Sequence, residues 1–514
     1  MAVSASAPFV DIGVLIRAGA IDQAWELFAQ AGLIASRDSA ALILKGRLLK
    51  ERARAADGDA RRDFFARAAD AYREAASRGE GAYALINAAS LSLLAGDEEG
   101  GRVFALAALA APGDDTPFYE AATRAEALML LRRMDEAKAA LQQAVARGPR
   151  AWEDHAVTLR QFRLILSSLG QPDDWLSILD PPRALHFTGQ MTLSGDKDAL
   201  RDVVAGVLAE ERVAFGYGAL AAGADILVAE ALVAAGADLH VVLPLDQKAF
   251  RQSSVEPWGQ VWASRYDRLL AAAQSVGVTG PGLDQVSPGA IALGDETAMG
   301  MAVLKATALA GEALQLAIST RDEADAFATA RWRAAGHRQR MIRPASEASA
   351  AAATSPASST RSTSAVALGC VLDLPPDSDR QVLLTKLARV IDEGPRPLTA
   401  PSWSGHTLLL TYATPGEAEA VAHGLRGALG AQMRMAAGYG LTDLVANPFG
   451  AGMLAMGSTP ETVADLLRVT PPGGFYFELC FAATLALDAP SDTARRLTNL
   501  TGDTAGPYAL APGA

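Results

Sequence analysis

Residues 213–245 read VAFGYGALAAGADILVAEALVAAGADLHVVLPL, and this run constrains the fold more than any other part of the chain. A short apolar segment, a glycine-rich turn, an alanine-rich helical stretch, a break at Gly236 and a second apolar segment ending at Pro244 make a strand–helix–strand unit. Two strands joined through a helix lie parallel, and a parallel sheet needs cover on both faces, so this region is α/β with a buried sheet. Further strands are expected at residues 184–188 (ALHFT) and 314–318, with a helix around 198–210. Gly216, Gly218 and Gly223 in the turn, with Gly189 at the end of the preceding strand, permit close backbone approach. The helix that opens there offers free N–H groups to an anion, and Asp225 either caps that helix or contacts a ribose.

Ahead of Pro181-Pro182 the chain shows only helical periodicity. Ile21-Asp22-Gln23-Ala24 superposes on Met134-Asp135-Glu136-Ala137, each with an aspartate suited to capping, a small alanine and a large apolar residue four further on, Phe28 or Leu141. Helical stretches from Ala66 and Tyr83, broken at Gly-Asp and Arg-Gly, lie between them. The texture resembles tetratricopeptide repeats, stacked helix pairs with a concave surface for a protein partner. A plain helical bundle is the alternative. Trp25, Trp152 and Trp175 are read as core or cap residues.

Composition narrows the function classes. With 514 residues, half of them hydrophobic and a fifth charged, the chain is expected to be globular, in about three domains. A formal net charge of −12 disfavours broad electrostatic binding of nucleic acid or anionic membrane. The local exception, RWRAAGHRQRMIR at 331–343, is read as a solvated helix end. Two cysteines, Cys370 and Cys480, point to a reducing compartment, and neither a signal peptide nor a membrane span is read, so a cytoplasmic location is expected.

The central segment, 181–345, resembles the SLOG superfamily, which includes the DNA-processing protein DprA and the LOG proteins. The resemblance rests on the strand ending in Thr188-Gly189, the glycine-rich loop, Gly223-Ala224-Asp225 and the strand ending VVLPL. It implies a Rossmann-like domain holding a nucleotide or nucleotide-derived ligand at Gly189, Gly216, Gly218, Gly223 and Asp225. The LOG catalytic loop, PGGxGTxxE, is degraded here: after 314–318 the chain reads STRDEADAFATARWRAAG, keeping at most Thr329, so phosphoribohydrolase activity is not expected. Between the two halves a single amphipathic helix is expected to carry Trp258, Trp262, Tyr266 and Leu269 into the core.

The stretch 344–364, PASEASAAAATSPASSTRSTS, is read as a flexible tether, with the linker itself at 346–364, and 491–514 as a loose tail. Between them, ALGCVLDLP, SWSGHTLLLTY and VADLLRVTPPGGFY resemble the class III nucleotidyl cyclase domain, LFADVxGFS, TWGDxLxxxF and AARIEPVTPPGxVY. That implies an α+β, ferredoxin-like domain over 365–490. Cyclases use two aspartates to hold two metal ions; here Cys370 takes the first position, unless a shift of three brings Asp373 there, and His406 takes the second. Asp465 replaces the phosphate-stabilising arginine and Leu467 a glutamate. No catalytic residue and no metal site are therefore assigned. The overall expectation is a multidomain regulatory scaffold: helical repeats at 1–180 for a protein partner, a nucleotide-sensing α/β domain, and a pseudo-cyclase for homodimerisation, heterodimerisation or docking. A nucleotide-processing enzyme, LOG-type or cyclase in a heterodimer, is the alternative.

Overall fold

The computed structural model describes residues 21–510 other than 80, 113–115, 194, 320–325, 345–361, 374–378, 449, 490–493, 495 and 502–505, and before them residues 9, 12, 13, 15 and 16. It divides into two compact units, one built on Met1–Pro181, the other on Pro182–Thr307 and Gly311–Leu510.

The first unit is helical: α1 (Ile21–Gln30), α2 (Ser39–Arg54), α3 (Gly58–Ala76), α4 (Ala82–Ala95), α5 (Glu98–Ala110), α6 (Pro117–Leu130), α7 (Met134–Arg147) and α8 (Trp152–Ser168). Consecutive helices pack as hairpins, and two of the turns share one construction. At the α4–α5 turn Gly96 is left-handed (φ 94°) and the Asp97 amide donates back to Ser92 O at 2.9 Å. At the α6–α7 turn Arg132 takes the same conformation (φ 59°), and the Arg133 amide donates to Leu128 O at 2.9 Å. The superposed pairs from the sequence fall where expected: Ala24, Phe28, Ala137 and Leu141 are all fully buried. Their aspartates are not caps. Asp135 lies inside the first turn of α7, whose N-cap is Arg133, and Asp22 pairs with Arg52 Nη2 at 2.9 Å.

The second unit holds two sheets. The first is parallel, with strands β1 (Arg183–Gly189), β2 (Val213–Gly218), β3 (Asp238–Leu243), β4 (Ser275–Val278), β5 (Ala313–Ile318) and β6 (Arg338–Ile342) in the order β4-β3-β2-β1-β5-β6. Its helices are α9 (Lys197–Glu210), α10 (Ala224–Ala234), α11 (Gln247–Ser254), α12 (Gln260–Ala272), α13 (Pro288–Ala308) and α14 (Phe327–Ala334). A polar ladder crosses this sheet, because His186, Gln315 and Gln339 are register partners on β1, β5 and β6. Gln315 Nε2 lies 3.0 Å from His186 Nδ1, and Gln339 Nε2 donates to Gln315 Oε1. Burial pushes the His186 imidazole down to about 3, so it is neutral, and it stacks on Trp332.

Two expectations fail in this half. The tryptophan-bearing helix is two helices, interrupted at Gly259 (φ 106°), although Tyr266 and Leu269 are buried as anticipated. The arginine run is no solvated helix end. It passes from α14 into β6, and Arg331, Arg338 and Arg340 pair with Glu296, Glu211 and Glu210 at 2.9, 2.7 and 2.9 Å.

The second sheet is mixed: β7 (Ser362–Leu372), β8 (Ser402–Ser404), β9 (Thr407–Tyr412), β10 (Met433–Ala446), β11 (Met453–Met456), β12 (Phe475–Phe477), β13 (Leu497–Asn499) and β14 (Tyr508–Leu510). Its order is β13-β14-β12-β10-β7-β9-β8, with β11 on β10 and only the β10–β12 pair parallel. Helices α15 (Arg380–Glu393), α16 (Pro415–Leu429) and α18 (Leu479–Asp488) bury one face, and α17 (Thr459–Val469) packs Val463 and Leu467 on the other. Ser362–Ser364, assigned to the linker from sequence, open β7; the rest of that linker lies outside the described residues. The tail expected to be loose contributes β13 and β14, whose apolar residues seat on β12. Among the described residues no helix is long and apolar enough to cross a membrane.

The two sheets meet through α13 and α18. A Cβ on Gly300 would overlap the Ala483 carbonyl oxygen, so the helices cross at backbone contact. Gly300→Ala is expected to destabilise this unit by about 1–3 kcal/mol through overpacking. An unchanged calorimetric transition would show that the helices have room to part.

Candidate functional site

The strand order reverses between β1 and β5, so the connections leaving their carboxyl ends diverge and open a crevice, the usual ligand position in an open parallel sheet. Four elements supply its wall. Gly189 ends β1, Gly218 ends β2, α10 begins after Gly223, and the first half of α13 packs Gly294 against Pro244 beyond β3.

Each of the glycines singled out from sequence faces protein. A Cβ on Gly189 would lie 2.7 Å from Ile318 O and overlap Ala224, and one on Gly218 would lie 2.7 Å from Phe187 O. One on Gly216 would overlap the Leu232 side chain in α10. Gly223 has φ 100° and ψ −124°, a conformation reserved to glycine, and its missing side chain makes room for the Gln190 and Met191 carbonyls. The absent side chains bring β1, β2 and α10 together. The Ala224 amide, at the helix start, donates to Gln190 O at 3.1 Å.

Asp225 is 7% exposed. It caps no amide of α10; Oδ2 instead accepts from Ala221 N–H at 3.2 Å in the turn, and Oδ1 has no partner among the described residues. Burial, followed by repulsion from Asp295 on α13, pushes its carboxyl well above the usual range. The amides of Ala221 and Gly189 pull it partly back. Asp295 itself is pushed up to about 7, first by burial and then by Glu296.

Glu296, the next residue, serves a different purpose. It accepts from Arg331 Nε at 2.9 Å and Tyr439 Oη at 3.1 Å, and Arg331 also reaches Asp488 at 2.7 Å. Burial works against the Arg331 charge, but Asp488 and Glu296 hold it more firmly protonated than usual. One turn of α13 thus acts on Asp225 through the charge of Asp295 and touches the mixed sheet through Glu296. Sequence reasoning missed both, although two adjacent acids inside a small-residue and apolar helix, GAIALGDETAMGMAV, were a visible signal.

A separate polar cluster lies in the first unit. Lys50, Ser90, Glu126 and Gln161 come from α2, α4, α6 and α8, every second helix of the array. Glu126 Oε1 accepts from Ser90 and from Gln161 Nε2 at 3.2 Å, and Lys50 Nζ lies 3.5 Å from Gln161 Oε1. Burial raises the Glu126 carboxyl and lowers the Lys50 ammonium.

Of the residues aligned with cyclase chemistry, Cys370, Asp373 and His406 come to one end of the β7–β9 pair, where Val371 is the register partner of Thr407, and Asp465 lies apart on α17. Cys370 is buried beside Leu408 and Met435, its thiol pushed up to about 12 by burial. Asp373 pairs with Arg434 at 3.1 Å, His406 is exposed on the β8–β9 turn, and Asp465 pairs with Arg468 at 2.6 Å on the surface. Among the described residues no group of three or more His, Cys, Asp or Glu could hold a metal ion. In the region aligned with the LOG catalytic loop, Thr329 is buried with its hydroxyl on Ala326 O, and residues 320–325 lie outside the described residues.

Residues 11–92 match the family model described as Tetratricopeptide Repeats-Sensor. Among curated proteins none matches the chain. The helical hairpins and this match identify a tetratricopeptide-like region, of the kind that scaffolds protein–protein interactions.

Proposed function

We propose that this chain is a regulatory scaffold in which the helical repeats hold a protein partner and the parallel-sheet crevice senses a nucleotide-derived ligand. The observation that carries the sensing is the Oδ1 atom of Asp225, a buried, unpartnered acceptor at the start of a helix in the crevice. Leaving such an atom unpaired costs about 1–3 kcal/mol, which a bound donor recovers. The SLOG-like, Rossmann-like reading of this half and the sensor description of the matched repeats agree with that role. The cyclase-like reading of the mixed sheet supports docking or dimerisation rather than turnover, since Cys370, Asp373, His406 and Asp465 do not converge on a metal. A second reading, nucleotide processing, draws on Asp295, whose carboxyl at about 7 suits acid–base chemistry near neutral pH.

The test is thermal unfolding of the full chain against a panel of nucleotides and nucleotide-derived compounds. At least one ligand should raise the Tm of the wild type, by about 2.7 kcal/mol of stabilisation at a hundredfold excess over Kd, and shift the Asp225→Asn variant less. No shift across the panel leaves the scaffold role alone, and release of a cleaved product favours the enzymatic reading.

A further inference from the structure

We infer that the crevice takes its ligand nucleoside-first, through a neutral hydrogen-bond donor such as a ribose hydroxyl or a base amino group, with Asp295 as a specificity-determining residue beside Asp225. The inference rests on the reading of the crevice as a ligand site, and adds which end of the ligand enters and what recognises it.

A helix start after a glycine-rich turn ordinarily favours phosphate, because its free amides and dipole attract an anion. Here that position is already filled. The Asp225 carboxyl sits in the first turn of α10 with Oδ2 on the Ala221 amide, and the Ala224 amide is spent on Gln190 O. Nor does the loop offer an open glycine cradle, since the Cβ direction of Gly223 is closed by the Met191 and Gln190 carbonyl oxygens. A phosphate placed there would meet carboxyl and carbonyl oxygens.

What the crevice has in surplus is acceptors. Asp225 Oδ1 has no hydrogen-bond partner among the described residues, and Asp295 stands close enough for the two carboxyls to repel. Both carboxyls are raised by burial, so near neutral pH the pair carries less than two charges and suits a neutral donor better than a metal cation. A vicinal diol or an exocyclic amine supplies such donors, and the phosphates of a nucleotide would then point out of the crevice.

Isothermal titration of the full chain with adenosine, guanosine, cytidine and uridine, with the corresponding nucleotides, and separately with pyrophosphate, tests this. At least one nucleoside should bind, with Kd raised tenfold or more in Asp295→Asn and in Asp225→Asn, because each substitution places an amide donor where the ligand needs an acceptor. Loss of binding on changing the nucleoside to its 2′,3′-dideoxy form would assign the diol, and retention would assign the base. Pyrophosphate binding as tightly as the matching nucleotide, or nucleoside binding indifferent to Asp295→Asn, overturns the inference while sparing the ligand site. Absence of binding by nucleosides, nucleotides and pyrophosphate alike overturns both. Asp295→Asn keeps the experiment decisive if Asp225→Asn does not fold.

Discussion

Asp295→Asn is expected to stabilise the second unit, by more at pH 8 than at pH 5. In the unfolded chain an aspartate titrates near 3.9, whereas in the fold Asp295 is pushed up to about 7. The folded protein therefore holds a proton that the unfolded chain releases, and stability falls as pH rises from about 4 through about 7. Below that window Asp295 carries no penalty. Above it the whole cost of an ionised carboxyl facing Asp225 and Glu296 is felt, roughly 4 kcal/mol if the full shift counts at 1.36 kcal/mol per pKa unit. Partial exposure of Asp295 reduces this to about 2–3 kcal/mol. Asparagine cannot ionise, so the variant should lose the downward slope that the wild type shows between pH 5 and 8. Denaturant unfolding at the two pH values measures it. An equal effect at both would mean that Asp295 is not the group resisting ionisation. Because Asp225 and Asp295 are coupled, the slope belongs to the pair, and Asp225→Asn should flatten it as well.

This penalty marks a site where local rules are broken, and such sites are what a sequence shows least directly. The strand–helix–strand run at 213–245 could be read element by element because hydrophobic period and glycine punctuation coincide, giving β2, α10 and β3 where expected. The repeats were legible for a related reason: Ala24 and Ala137 occupy equivalent close-packing positions. Interactions between distant segments were not. Arg338 and Arg340 look like a solvated basic run until Glu211 and Glu210, more than a hundred residues earlier, are seen beside them. The strands β13 and β14 are three residues each, too short to show a period, and exist by pairing with each other and with β12. The glycines of the candidate site were visible, but whether each leaves room for a ligand or for Leu232, Phe187 and Ala224 depends on packing that no spacing encodes. Asp295 owes its significance to Asp225, seventy residues earlier and on another helix.

Arg331→Met should strongly destabilise the second unit. The guanidinium donates to Glu296 at 2.9 Å and to both Asp488 oxygens at 2.7 Å, and Glu296, 8% exposed, depends on it and on Tyr439 for its hydrogen bonds. Removing the arginine leaves a buried carboxylate with one hydroxyl donor. Breaking a buried pair in this way costs about 3–5 kcal/mol, more than the pair itself contributes, because the carboxylate left behind stays out of water with no counter-charge. The methionine retains much of the apolar stem, so lost packing is a minor part of the change. Adding Glu296→Gln to Arg331→Met should therefore restore much of the loss, since a neutral amide can stay buried beside Tyr439 without a counter-charge. Denaturant unfolding of the four proteins in that cycle measures the coupling, and a double variant as unstable as the sum of the singles would refute it. The cycle also bears on the proposed sensing. Glu296 is bonded across to the mixed sheet and its neighbour Asp295 acts on Asp225, so on the proposed reading a ligand that hydrogen-bonds to Asp295 acts on the helix turn that anchors Arg331. If the crevice communicates with the mixed sheet through α13, nucleoside affinity should change in Arg331→Met and return in the double variant, although neither residue touches the ligand.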